Sequence, residues 1–295
     1  LILTGRRGVP NKKQQALLNA LKAAGAAIQI APLDVADVNG MVQLFADLAA
    51  AAQPLRGVFH EAGVASYKAL RSLQWADFES MLRPKVIGGW LLHALTAKLD
   101  LDFFIAYSSG AGIWGGKQQA HYGAANHFLD GLMAYRRRQG LPGLSIAWGP
   151  WAGGGMATPE AQAMLQAMGV RALAPEQGLA IQAHLLQSAA SSVTAADIDW
   201  AQFKPLYEMS KPRRFLANLA IAARTQGQPD SRTESAATVI TELQALPTGQ
   251  RVGQLRRYLR TVVGQVLGLG ETADEAFTNS TGFTDLGMDS LMALE

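Results

Sequence analysis

The chain has 295 residues, 49% hydrophobic and 17% charged, with a net charge of +3 and a sequence pI of about 9.2. That is room for one large domain or two ordinary ones with a sizeable core. It holds no apolar run near the roughly 18 residues of a membrane span, no secretory signal and no cysteine, which excludes disulfides and thiolate metal sites and fits a reducing cytoplasm.

Strand-like and helical stretches alternate from the first residue, and a start at Leu1 inside a strand-like run is expected of a cut fragment. Leu1 to Thr4 reads as a strand, Asn11 to Ala24 as a helix, Ala27 to Ala31 as a strand and Val38 to Ala51 as a helix. Gly57 to His60, Phe103 to Ser108 and Leu144 to Trp148 continue the strands; Trp75 to Ala97 and Tyr122 to Gln139 continue the helices. Such alternation predicts a parallel sheet covered on both faces, and the run Phe103-Phe104-Ile105-Ala106 is apolar throughout, as a buried parallel strand should be. Ligands of such sheets sit at the carboxyl ends of the strands. The main basic cluster, Arg136, Arg137 and Arg138, lies in a last helical turn before Gly140, where cations and glycine suit a helix end. It reads as a cap, and nucleic acid is not implied.

From about Ala222 to Ala237 the sequence turns polar and aperiodic, which predicts a flexible linker. Val252, Leu255, Leu259, Val262 and Val266 then mark one face of an amphipathic helix. The chain closes on Thr-Gly-Phe-Thr-Asp-Leu-Gly-Met-Asp-Ser-Leu-Met-Ala-Leu-Glu.

Four residues form a chemical set. Tyr122 and Asn126 are one helical turn apart, Ser109 follows a strand thirteen residues before Tyr122, and Lys85 lies on the preceding helical stretch. Reducing a carbonyl requires an acid to protonate the developing alkoxide; a phenol becomes a better acid beside an ammonium, and a hydroxyl donor stabilises the same oxygen. Singly, each residue has an ordinary structural reading. The flanking words are more specific: Ser-Ser-Gly-Ala-Gly, Gln-Ala-His-Tyr-Gly-Ala-Ala-Asn-His-Phe-Leu-Asp and Ser-Ile-Ala-Trp-Gly-Pro-Trp.

Over roughly Leu1 to Leu216 these words strongly resemble the ketoreductase domains of modular polyketide synthases, within the extended short-chain dehydrogenase family. The resemblance implies a Rossmann-like, doubly wound α/β sheet lacking its N-terminal strand and glycine turn. By it, Tyr122 is the proton donor, Ser109 binds the ketone oxygen, Lys85 lowers the tyrosine pKa and Asn126 holds a relay water. The lysine and asparagine stand exchanged relative to simple short-chain enzymes, which favours a synthase domain over a free-standing dehydrogenase.

For the cofactor, NADPH, the resemblance places Arg6 on the 2′-phosphate with Arg7 as helper. It places Asp34 and Val35 at the adenine edge, and His60, Ala62 and Gly63 in the turn after the next strand, in His-Glu-Ala-Gly-Val. The fragment as cut is expected to bind NADPH poorly. The stretch Val64-Ala65-Ser66-Tyr67-Lys68 lacks the Leu-Asp-Asp triplet of B-type ketoreductases, whereas Trp114, eight residues before Tyr122, occupies the place of the A-type tryptophan. Gln119 is not the histidine associated with epimerised substrates. An A-type enzyme giving an L-hydroxyl follows, with Trp151, Met156 and the glycines between them as the hinge of a substrate lid. No histidine spacing matches a metal site, so no metal is expected.

Asp-Leu-Gly-Met-Asp-Ser-Leu resembles the attachment site of acyl carrier domains, with 4′-phosphopantetheine on Ser290 at a helix start. The implied division is a ketoreductase at 1–218, a linker at 219–238 and a partial all-α carrier at 239–295. The implied partners are a carrier-tethered polyketide intermediate, other synthase domains, a phosphopantetheinyl transferase and a second copy of the full-length synthase, in the cytoplasm and away from membranes. Two other readings remain: a reductase-inactive structural domain, against which the intact Tyr, Ser, Lys and Asn speak, and a free-standing dehydrogenase, against which Ser290 speaks.

Overall fold

The computed structural model describes residues 1–8, 10–51, 54–153, 156–209, 213–219 and 240–267, except for the side chains of residues 160 and 263–267. The linker read at Ala222 to Ala237 and the segment around Ser290 lie outside the described residues. Two compact units are present: Leu1–Ala163 with Val170–Asp197, and Met164–Gly169 with Ile198–Glu295. Within the second unit Asp199 N–H donates to the Gly169 carbonyl (2.7 Å) and Gln202 Nε2 to the Ala167 carbonyl (2.8 Å).

In the first unit, β1 (Ile2–Gly5), α1 (Lys12–Ala23), β2 (Gln29–Pro32), α2 (Val38–Ala50) and β3 (Gly57–His60) follow in order. A capping box opens α1: Gln14 N–H donates to Asn11 Oδ1 and Asn11 N–H to Gln14 Oε1, both at 2.9 Å, so two otherwise orphaned amides are satisfied. Next comes α3 (Trp75–Leu82), a π-helical turn (Arg83–Ile87) and α4 (Gly88–Thr96). The sequence predicts one helix here; the backbone is helical throughout but widens into a π turn around Pro84, whose ring nitrogen has no hydrogen to donate. Then follow β4 (Phe103–Ser109), α5 (Ala120–Arg138), β5 (Leu144–Trp148), α6 (Pro159–Ala167, counted in the second unit from Met164 on), the two-residue β6 (Val170–Arg171), α7 (Pro175–Leu185) and β7 (Ser192–Ala195).

All ladders among these main strands are parallel. One sheet has the order β3-β4-β5-β7; β1 and β2 pair separately, and among the described residues no ladder joins β1 to β3. The register sets His60 opposite Ala106 and Ser109 opposite Trp148, so the carboxyl ends of β3, β4 and β5 share one edge. Alternation along β4 fills both faces. Phe104 and Ala106 meet Leu92, Leu129, Leu132 and Met133 of α4 and α5, while Ile105 meets Ile146 and Trp148, with Ile181 and Leu185 of α7 against them. Each such fully buried aliphatic side chain contributes about 1.5–3 kcal/mol.

The helix α5 ends in a Schellman motif. Gly140, at φ 75°, donates to the Arg137 carbonyl and Leu141 to that of Arg136, both at 3.0 Å. Arg136, in the last turn read as a cap, turns into the core. It is fully buried, with its guanidinium 4.1 Å over the Phe104 ring, Nε donating to Pro142 O (2.8 Å), and Nη1 3.2 Å from His93 Nδ1 and Thr96 Oγ1. Burial pulls its pKa down to about 10, so it stays charged in the core.

In the second unit, α8 (Trp200–Tyr207) starts at Asp199, whose carboxylate accepts from Ala201 and Gln202 N–H; Phe203 and Tyr207 stack at 5.3 Å. α9 (Thr248–Leu267) contains the expected amphipathic stripe, with Val252, Leu255 and Leu259 exposed. No helix among the described residues is long and apolar enough to cross a membrane.

Candidate active site

The carboxyl end of β4 delivers Ser109, and the first turns of α5 deliver Tyr122 and Asn126. Ser109 Oγ accepts the Ala111 N–H (3.2 Å), which fixes the side chain and leaves its own hydrogen to be donated. Gly123 and Gly110 permit the approach of these elements: a Cβ on Gly123 would lie 2.9 Å from the Ala111 carbonyl, and one on Gly110 2.2 Å from the Trp114 ring. Trp114 therefore covers the turn directly after Ser109.

Tyr122 is 7% exposed and Asn126 fully buried. Burial pushes the phenol above its usual range; hydrogen bonds with Ser109 and then Asn126 pull it back, and Tyr67 raises it slightly. Asn126 Nδ2 donates to the Tyr122 carbonyl (2.8 Å), while its Oδ1 is buried without a protein partner.

Lys85 comes from the π turn and is 2% exposed, a rare state for a lysine. Its Nζ donates to the Tyr107 carbonyl at 2.8 Å. Burial lowers its pKa to about 8, against the opposing pull of Asp130. Gly63 lies alongside: a Cβ there would come within 2.9 Å of Lys85 Cε and 3.3 Å of Nζ. The structure thus gathers Ser109 and Asn126 around the Tyr122 phenol, with Lys85 held by the Tyr107 carbonyl of the same strand that delivers Ser109.

A family model, the KR domain, matches residues 1–153. The chain belongs to the KR family, the ketoreductase domains of polyketide synthases. A second model, the phosphopantetheine attachment site, matches residues 257–295. The ketoreductase is 34% identical to the pikromycin polyketide synthase component PikAIII of Streptomyces venezuelae and 35% identical to erythronolide synthase EryA3 of Saccharopolyspora erythraea. Both matches cover 100% of this chain but only 19% and 9% of those proteins, so the chain spans a small part of its curated relatives. Among solved structures it resembles A-type ketoreductases from a modular polyketide synthase at 36% identity and a TM-score of 0.71, over 74% of this chain and 46% of that one. An A1-type ketoreductase matches at 34% and 0.71, over 80% and 48%; a C2-type ketoreductase from a modular synthase matches at 27% and 0.66, over 75% and 47%.

The other expected site residues lie in several surroundings. Arg6 and Arg7 are exposed just past β1, in a turn closed by Gly8 (φ 62°), where a Cβ would meet that of Pro32 at 2.5 Å. The Asp34 carboxylate accepts the Ala36 N–H (2.9 Å) and lies 3.8 Å from Arg83, and Val35 is buried against Gly88. Ala62 packs against the core. His60 is 2% exposed, and burial followed by the Lys85 charge holds its imidazole pKa down to about 3. Gln119 folds back on Gly116. Trp151 packs on Gly178 and, edge to face, on Trp148 at 4.9 Å, away from the exposed Met156, whose methyl reaches toward Gly63.

Two contributors were not read from the sequence. Tyr107 acts through its carbonyl, which no side-chain pattern advertises. Its phenol is tied to Gln182 and Glu61; burial, then the Glu61 charge, raises its pKa. Tyr67 lies in the stretch that lacks the B-type triplet and raises the Tyr122 pKa; as a tyrosine in that stretch it was legible in the sequence.

Proposed function

We propose that the chain catalyses the NADPH-dependent reduction of a carrier-bound β-ketoacyl thioester to the β-hydroxyacyl thioester. The observation that carries this is the Tyr122 phenol between Ser109 and Asn126 at the carboxyl edge of the sheet. A nicotinamide cofactor fits the residues present: Gly63 has no side chain where a Cβ would press on Lys85, and Arg6 and Arg7 stand exposed past β1. Those arginines would hold the 2′-phosphate, with Asp34, Val35, Ala62 and Gly63 lining the rest. When bound, the group supplies a hydride to the ketone carbon.

The protein's own part is proton handling and orientation. Ser109 donates its hydroxyl hydrogen to the ketone oxygen and stabilises charge as it develops there. Tyr122 gives up its proton to that oxygen. Asn126 Oδ1, buried and otherwise unpartnered, can hold a water that returns the proton. Lys85, held on the Tyr107 carbonyl, is the ammonium that this reading assigns to favouring the phenol's anion during turnover.

The doubly wound strand order 3-2-1-4-5-6 would set one further strand between β1 and β3, where the ladders stop. Leu3 and Phe59, which border that place, are 40% and 44% exposed. We therefore propose that a strand bearing the phosphate-binding glycine turn pairs at that place. Trp114 over Gly110, the absence of the B-type triplet and the likeness to A-type structures support an A-type enzyme giving an L-hydroxyl. Ser290, within the matched attachment-site region, is proposed to carry phosphopantetheine by means of a transferase, inside a dimeric synthase.

The test follows NADPH oxidation and product chirality with a short β-ketoacyl thioester, using the polypeptide extended upstream. Expected are an L-alcohol, loss of turnover in Tyr122→Phe, and weaker NADPH binding by the 295-residue chain alone. A mainly D-alcohol overturns the stereochemical reading, and equally tight NADPH binding by both forms overturns the placement of Arg6.

A further inference from the structure

The stretch Val64-Ala65-Ser66-Tyr67-Lys68 has no helix or strand of its own. Val64 and Ala65 pack against the cluster of Met81, Tyr122 and Ala125, whereas Ser66 and Tyr67 are exposed, so burial does little to hold them. Polar ties fasten this part to α3 and α5. Ser66 Oγ lies 2.7 Å from His121 Nε2, the Lys68 N–H donates to the Gln118 carbonyl (2.9 Å), and Lys68 Nζ donates to Asp77 (2.6 Å). His121 is fully buried, edge-on to Phe78 of α3 with ring centroids 6.0 Å apart. Its Nδ1 is without a partner, so what the imidazole recovers for lost water comes through Nε2 on Ser66. A hydroxyl can donate or accept, so the bond holds in either tautomer.

Gln118, which receives the Lys68 N–H, is the one non-glycine among the described residues with a left-handed backbone (φ 59°). That conformation is unfavourable for a residue with a Cβ and persists where neighbouring contacts fix it. It stands two residues before α5. His121 and Tyr122 are consecutive in the first turn of that helix, about 100° apart around its axis. Holding the first therefore sets the roll of the turn that presents the second.

We propose that the Ser66–His121 hydrogen bond is a latch: it holds the 64–68 stretch on the first turn of α5 and thereby fixes the Tyr122 phenol. Ser66 and His121 are then positioning residues. The kinetic consequence rests on the reductase reading; the structural one does not.

The experiment uses the polypeptide of the reductase assay and compares wild type, Ser66→Ala, Ser66→Thr, His121→Phe and the Ser66→Ala/His121→Phe double variant. Alanine removes the hydroxyl; threonine keeps one, at an exposed position with room for its methyl. Phenylalanine keeps a ring against Phe78 and removes both nitrogens, the unpartnered one included, so the fold is expected to hold. Backbone hydrogen exchange, read by mass spectrometry, needs no turnover. Peptides covering 62–69 and 117–124 should exchange at least about fivefold faster in Ser66→Ala and His121→Phe, with those of β4 and β5 unchanged and Ser66→Thr like wild type. In the reductase assay kcat should fall about tenfold in both single variants, with KM changed less than about threefold. The double variant should lose no more than the worse single one, because one bond can be broken only once. Wild-type exchange in Ser66→Ala, no recovery in Ser66→Thr, or losses that multiply in the double variant overturn the proposal. Faster exchange with unaltered kcat overturns it too, since the latch would then hold nothing that matters to the phenol. A wild type without reductase activity but with the exchange pattern intact would sink the reductase reading alone.

Discussion

Replacing Lys85 by methionine should stabilise the protein while destroying its chemistry. Holding an ammonium that releases its proton at about 8 instead of 10.5 opposes folding by about 3 kcal/mol at neutral pH. Methionine preserves an unbranched stem of similar length in a site only 2% exposed, and removes the charge. It also forfeits the hydrogen bond to the Tyr107 carbonyl, at a cost of about 1 kcal/mol. The balance is a gain of about 2 kcal/mol, or roughly 4–8 °C in melting temperature for a domain of this size. The gain depends on pH in a fixed direction. Below about pH 8 the lysine is protonated in both states and the full penalty applies; between 8 and 10.5 the unfolded chain still binds the proton that the folded one has lost. Wild-type stability therefore rises with pH through that window, while that of Lys85→Met lacks this contribution. Urea or thermal unfolding at pH 7 and pH 10 measures the difference. A variant less stable than wild type at pH 7, or a gap that persists at pH 10, would refute the burial penalty assigned to Lys85.

Other outcomes follow from the same contacts. Tyr122→Phe should reduce kcat by about 10²–10⁴-fold with an unchanged melting curve, because the phenol proton is lost while the ring remains. Gly63→Ala places a methyl 2.9 Å from Lys85 Cε and should lower kcat at least about tenfold, readable in steady-state kinetics alongside Lys85 labelling. Arg136→Ala removes the ring contact with Phe104 and the donor to Pro142 O; melting should show a loss of about 3 kcal/mol, with stereochemistry of the product retained.

The strands β3 and β5 stand at the limits read from the sequence, and β4 runs one residue further, because short apolar runs bounded by polar or glycine residues leave few alternatives. The helices α1, α2 and α5 are similarly close, being periodic and long. The strand β7 escaped notice: Ser192-Val193-Thr194-Ala195 is short, with only Ala195 fully buried, so it carries little apolar signal. The helices α6, α7 and α8 follow a glycine- and proline-rich stretch that reads as loop. Arg136 was legible only as a charge, since its burial depends on Phe104, His93 and Pro142 converging from distant positions. The phenol, hydroxyl, asparagine and lysine could be named because their spacing and flanking words are local. What holds the lysine could not, because a carbonyl acceptor and a π turn leave no mark in residue identity.

The widened turn at Arg83–Ile87 also sets the angular phase between two halves of one rod. An α-helix advances about 100° per residue, so a turn that spends an extra residue offsets everything beyond it by about that much. Gly88, Gly89 and Leu92 face the core on one phase, and Lys85 reaches the catalytic edge on another. Deleting a single residue from the turn would straighten the rod and force a choice between them: either the glycines keep their seats against Val35 and Leu129, or the ammonium keeps its own.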